Sequence, residues 1–99
     1  MKYLNFGQAI EALKEGKRVA RKDWNEKGMF LWLKPATTIK SEQCKDELLK
    51  SICDENGGEI FSLGIICMYT HVSTGRKAIF TGWFASQSDM LLEDWVIVE

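Results

Sequence analysis

Between Gly82 and Val98 the chain changes its apolar period twice, and few folds accommodate that. Trp83 and Phe84 close an apolar, β-branched run that reads as a strand. Ser86 then fits a helix N-cap, with Asp89 three residues on as the acidic arm of a capping box. Met90, Leu91 and Leu92 supply the apolar face of one or two helical turns. Trp95-Val96-Ile97-Val98 returns to strand composition. The segment predicts a strand, a short capped helix and a strand in close succession, which demands a layer of helix packed on sheet.

The chain's 99 residues suit one compact domain spanning residues 1–99. Net charge is −1 with pI near 5.9, which argues against a protein that lives on nucleic-acid phosphates. Lys14, Lys17, Arg18, Arg21 and Lys22 fall close together, and a solvated helix end and turn accounts for them. No apolar run approaches a membrane span, and no apolar signal core follows Met1-Lys2-Tyr3-Leu4. Cys44, Cys53 and Cys67 are odd in number and match no zinc spacing, so no metal is expected. A reduced, cytoplasmic chain with thiols as small core or surface residues is the expectation.

Asn5 and Gln8 form a second capping box, and Phe6, Ala9, Ile10 and Leu13 recur at helical spacing up to the Gly16 stop. This predicts a helix over Phe6 to Glu15. Lys17 to Trp24 reads as a strand, with Ala20, Lys22 and Trp24 on one face and Val19, Arg21 and Asp23 on the other. Asn25-Glu26-Lys27-Gly28 is a turn, and Met29 to Leu33 is a second strand ending at Lys34-Pro35, the pair forming a hairpin. Ser41 is placed to cap a helix over Glu42 to Asp54, which Gly57-Gly58 ends. Ile60 to His71 is β-branched and interrupted at Gly64. Ser73-Thr74-Gly75 turns it back into a partner strand over Lys77 to Phe84. The expected class is α+β: a mostly antiparallel sheet with an N-terminal helix, a middle helix and a short capped helix before the last strand.

No set of residues outweighs its ordinary structural explanation as a catalytic centre. His71, the single histidine, sits beside a turn, and Cys67 four residues before it would lie ~13 Å away on a strand. Asp89 and Glu93 share a helical face, but capping accounts for Asp89 and solvation for Glu93. Gly57-Gly58 and Gly28 stand in no phosphate-loop context. The aromatics carry more. Core burial of a tryptophan is worth up to ~5 kcal/mol, which alone explains many of them. Trp24, however, is flanked by Asp23 and Asn25 at a turn, and Trp83 directly precedes the capped helix. Aromatic faces beside helix N–H groups and small polar side chains suit a nucleobase and a phosphate.

Four blocks, in order, carry a resemblance. They are Asn5-Phe6-Gly7-Gln8-Ala9-Ile10-Glu11-Ala12-Leu13, Val19-Ala20-Arg21-Lys22-Asp23-Trp24-Asn25, Gly28-Met29-Phe30-Leu31, and Trp83 through Trp95. Together they resemble the second family of Thoeris anti-defence proteins, small phage-type chains. The segment from about Pro35 to Gly58 resembles the family poorly and reads as an inserted helix. The resemblance implies a non-enzymatic sponge that sequesters a cyclic ADP-ribose isomer made by a bacterial TIR immune enzyme. It also implies a homo-oligomer, typically a tetramer, with pockets at subunit interfaces, and in some members a separate site for cyclic dinucleotides. No cofactor is implied. By the same resemblance Trp24 and Trp83 would wall in the adenine, beside Asn25 and Ala85, while Met29 and Phe30 line the pocket. Ser86, Gln87 and Asp89 would serve ribose hydroxyls or the pyrophosphate. Asn5 and Arg21 are weaker candidates, since Asn5 has a capping role and Arg21 a carboxylate to pair with.

Two other readings compete with the sponge. One is an enzyme cleaving a nucleotide with Asp89 and Glu93 or with His71. The other is a protein-interaction module whose aromatics are all core or interface.

Overall fold

A computed structural model describes residues 2–99, and the fold is α+β, with four helices and seven strands. The described chain divides into two compact units, residues 2–34 with 65–99 and residues 35–64.

The first unit is built on an antiparallel sheet of five strands: β1 (Arg18–Arg21), β2 (Phe30–Lys34), β5 (Ile65–His71), β6 (Lys77–Thr81) and β7 (Trp95–Val98). Their order is β6-β5-β2-β1-β7. β1 and β2 pair antiparallel as expected, with Val19 opposite Leu31, but they are joined by a helical turn over Lys22–Glu26 that takes in Asn25 and Glu26, and the expected Asn25–Gly28 turn is reduced to Lys27-Gly28. The hairpin of β5 and β6 around Ser73-Thr74-Gly75 is as the sequence predicts. β7 closes the far edge by pairing with β1, which sets Arg21 opposite Trp95.

Helix α1 (Phe6–Lys14) starts on the expected capping box: Asn5 accepts from the Gln8 N–H, and Gln8 accepts from the Asn5 N–H. Its Ala9, Ala12 and Leu13 bury against Val19, Leu31, Met68 and Trp95, and this set is the core. Helix α4 (Gln87–Leu91) begins at Ser86 with the predicted Ser86–Asp89 box.

Three further expectations in this unit are corrected. The strand expected over Lys17–Trp24 stops at Arg21, and the chain turns into helix α2 (Lys22–Glu26). The last rung with β7 is the Lys22 N–H bond to the Asp94 carbonyl (2.9 Å), in register with Arg21 opposite Trp95, and beyond it α2 carries Trp24 against the core. The strand expected through Phe84 stops at Thr81. Gly82 adopts φ +90°, and the Gly82 and Trp83 N–H groups both converge on the Ile66 carbonyl. Met90, Leu91 and Leu92 do not form a buried face: all are exposed, and α4's buried residue is Asp89.

The second unit is a ribbon of β3 (Thr37–Lys40) and β4 (Glu59–Ser62), paired antiparallel, with helix α3 (Glu47–Glu55) against it. β3 was hidden in what reads as the approach to a helix. The helix starts later than predicted. Asp46, not Ser41, caps it by accepting from the Leu48 and Leu49 N–H groups. Ser41 instead opens a short 3-10 turn and hydrogen-bonds the Asp54 carboxylate.

Candidate functional site

Two features meet in the first unit: a cluster of three tryptophans and an ion-paired capping box. Trp95 is fully buried at the start of β7. Trp24, delivered by α2, meets it edge-on at 5.3 Å between ring centroids, and Trp83 meets both, at 6.2 Å from Trp95 and 5.8 Å from Trp24. Trp24 and Trp83 are each half-buried, so each presents part of its surface outward while anchored on the core. These edge-to-face contacts favour fixed ring angles over a fluid cluster.

The capping box adjoins this cluster through Trp95, whose Nε1–H donates to the Asp89 carbonyl (2.9 Å). Asp89 is more than a cap. Its Oδ2 accepts from the Ser86 N–H (2.8 Å) and its Oδ1 from Arg21 Nη1 (2.9 Å). Arg21 also forks onto Asp94, Nε to Oδ1 at 3.0 Å and Nη2 to Oδ2 at 3.1 Å. The side chains of Arg21 and Asp89 are only 17% and 10% exposed, so this is a sheltered pair rather than a surface one.

The electrostatics follow from these bonds. Burial alone would raise the Asp89 carboxyl. Hydrogen bonding to Ser86 and the Arg21 guanidinium outweigh burial and hold it below the usual carboxylate value. The Asp94 and Asp89 carboxylates hold Arg21 more firmly protonated than usual. An aspartate so fixed, ionised and with both oxygens engaged is poorly placed to be a general acid or base. Likewise Arg21, facing two carboxylates, has little left to offer a phosphate.

The stability contribution has a definite sign. Because the folded Asp89 carboxyl is depressed, its stabilisation is complete above the unfolded value of ~4 and is lost as pH falls through the folded one. Asp89→Asn is expected to cost about 1–3 kcal/mol at pH 7, by removing the charge between Arg21 and the helix N-terminus. Denaturant midpoints at pH 7 and pH 3 check it: the gap to wild type narrows at the lower pH. A pH-independent gap would mean that the charge is not what matters.

The remaining candidates divide between places. Met29 packs beside the core with Trp24 and Trp83. Ala85 is half-buried, and Ser86 and Gln87 are exposed at the start of α4. Asn25 is exposed on α2. Phe30 is elsewhere. Strand alternation puts it on the sheet face opposite Leu31, with Trp32 at 6.1 Å, Tyr69 at 5.1 Å and the Arg18 guanidinium 5.0 Å from its ring centre. Asn5 lines a cleft of about 450 Å³ between α1 and the β7 edge, with Gln8, Glu11 and Ile97.

Two elements escape sequence reasoning. Asp94 is invisible as Arg21's partner until β1 and β7 pair. Phe84 is 91% exposed, and Met90, Leu91 and Leu92, six to eight residues on, are exposed too, so none of these apolar side chains is covered among the described residues.

The site is thus a pair of half-buried tryptophans on a small α+β fold, next to a buried tryptophan that bonds a capped helix. The profile of the Thoeris anti-defense 2-like domain matches residues 4–98, and the chain belongs to that family. It is 34% identical over 95 residues to the Thoeris anti-defense 2 protein of Bacillus phage SP01, covering 96% of this chain and 94% of that one. Both matches include the Pro35–Gly58 segment within their span. Among the described residues no helix is long and apolar enough to cross a membrane.

Proposed function

We propose that this chain counters a Thoeris-type defence by sequestering the defence's cyclic nucleotide signal, a cyclic ADP-ribose isomer, without cleaving it. The family supports the anti-defence role, and its resemblance supplies the ligand class. The observation that carries the reading is the pair Trp24 and Trp83, each anchored edge-on against Trp95, whose ring nitrogen bonds α4, yet each half-exposed. Rings whose angles are already fixed lose little freedom when a base stacks on them. Ser86 and Gln87 are exposed at the helix start for ribose or pyrophosphate oxygens, whereas Asp89 and Arg21 hold the frame rather than the ligand.

A sponge works only if Kd lies below the signal's concentration. Nanomolar binding requires about −12 kcal/mol, more than one face of one half-buried tryptophan provides. Self-association fits both that requirement and the apolar stretch of Phe84, Leu91 and Leu92, which a homo-oligomer would cover. Cyclic dinucleotides are the second ligand class of the proposal.

The test is a calorimetric titration with cyclic ADP-ribose isomers and cyclic dinucleotides, followed by heat release and chromatography of the ligand. Submicromolar or tighter binding with intact recovery is the expected result. Recovery of a cleaved product would replace the sponge by an enzyme, and no binding would leave a protein-interaction role.

A further inference from the structure

The second unit has a small interior: between Pro35 and Gly64 only Ser41 and Cys53 are buried, and only Cys53 completely. Its exposed surface includes Leu48, Phe61 and Leu63. So small a unit lacks the apolar burial that normally holds a helix on a two-stranded ribbon, and small folds in that position rely on cross-links or metals. The unit contains two of the chain's three cysteines, and they face each other. Cys44 Sγ lies 3.9 Å from Cys53 Sγ.

We propose that Cys44 and Cys53 are a reversible dithiol modification site, which a small-molecule disulfide converts into an intramolecular bridge that fastens the last turns of α3 to the segment directly after the 3-10 turn. The pair has the asymmetry such chemistry needs. Cys44 is partly exposed, directly after the 3-10 turn and outside helix and ladder, so its side chain has room to swing. Cys53 is wholly buried in the last turns of α3, and burial together with the neighbouring Cys44 pushes its thiol up. Both thiols rest against carbonyls at the end of β3, Cys44 on Lys40 and Cys53 on Ile39. Bridging requires the sulfurs to approach by about 2 Å, within reach of a side-chain rotation at Cys44. Cys67 is the internal control: it is fully buried in β5, with its sulfur against the Ile65 carbonyl.

The chemistry balances with a small disulfide RSSR as oxidant. The Cys44 thiolate attacks one sulfur, forming a Cys44–S–S–R mixed disulfide and releasing one thiolate, which takes up the Cys44 proton as RSH. Cys53 then gives up its proton and attacks Cys44 Sγ, the S–S bond to R breaks, and a second RSH leaves. Two protein thiols are oxidised and one small disulfide is reduced to two thiols.

The experiment incubates the full-length reduced protein with glutathione disulfide, quenches with acid, alkylates free thiols and maps the peptides by mass. The expected product carries a Cys44–Cys53 bridge and a single alkylated thiol, at Cys67. Hydrogen exchange of α3 amides is expected to slow by roughly tenfold or more, because closing this loop disfavours its opening. Cys44→Ser, a half-exposed replacement, is expected to abolish both effects. Product that stops at glutathionylated Cys44, a bridge between two chains, or a pair that stays reduced while a flexible dithiol peptide in the same tube oxidises would each overturn the proposal.

Discussion

Trp95→Ala is expected to lower the melting temperature by some 15 °C or more, or to prevent folding altogether. Trp95 is fully buried, and it is the residue that Phe6, Trp24 and Trp83 all meet, at 5.7, 5.3 and 6.2 Å between ring centroids. Removing a buried tryptophan costs about 3–5 kcal/mol, and in a chain of this length each kcal/mol moves the midpoint by roughly 4–8 °C. A marginally stable domain has little to spare against such a loss. Trp95→Phe separates the two parts of the effect. It keeps most of the ring volume but removes the Nε1–H that serves the Asp89 carbonyl, an orphaned acceptor worth about 1–3 kcal/mol. Thermal melts of the three proteins give the order wild type, Trp95→Phe, Trp95→Ala. If Trp95→Ala melted within a few degrees of wild type, the tryptophan cluster would not be the organising contact of the core.

That hub explains which parts of the fold are legible in the sequence. α1 and α4 are written locally, in the Asn5–Gln8 and Ser86–Asp89 boxes, and local signals need no knowledge of what packs on them. α2 is not. Val19 to Trp24 has strand composition, and the chain leaves β1 after its last rung, the Lys22 N–H to the Asp94 carbonyl, with Trp24 packing edge-on against Trp95. Both partners are some seventy residues away in the chain. The same distance hides the Arg21–Asp94 fork. Exposure misleads in the opposite direction at α4. Met90, Leu91 and Leu92 look like a core face by composition, but the helix turns its single buried side, Asp89, toward Arg21. Within the candidate site, Trp24, Met29 and Trp83 pack against the core, although the turn at Trp24 and the capped helix after Trp83 argue in the sequence against burial, while strand alternation sends Phe30 to the other sheet face.

Trp83→Ala is expected to weaken ligand binding by roughly 10- to 100-fold, the value of one base-stacking ring, and thereby to destroy stoichiometric capture of a scarce signal. Trp83 differs from Trp95 in being half-exposed, with its backbone fixed independently of its side chain. Gly82 at φ +90° and the N–H bond to the Ile66 carbonyl (2.9 Å) hold the main chain whatever residue follows the glycine. The ring nevertheless packs on Trp24 and Trp95, so the alanine variant also loses stability, by about 1–3 kcal/mol for a partly buried aromatic. Binding must therefore be measured well below the variant's own melting point, alongside Trp83→Phe. Phenylalanine retains the packing and a smaller stacking face, so its affinity should fall between those of wild type and alanine while its melt stays near wild type. Affinity that tracks melting temperature across the series would make Trp83 a packing residue. Affinity unchanged in Trp83→Ala would remove it from the site, and with it the reason for placing the ligand beside α4.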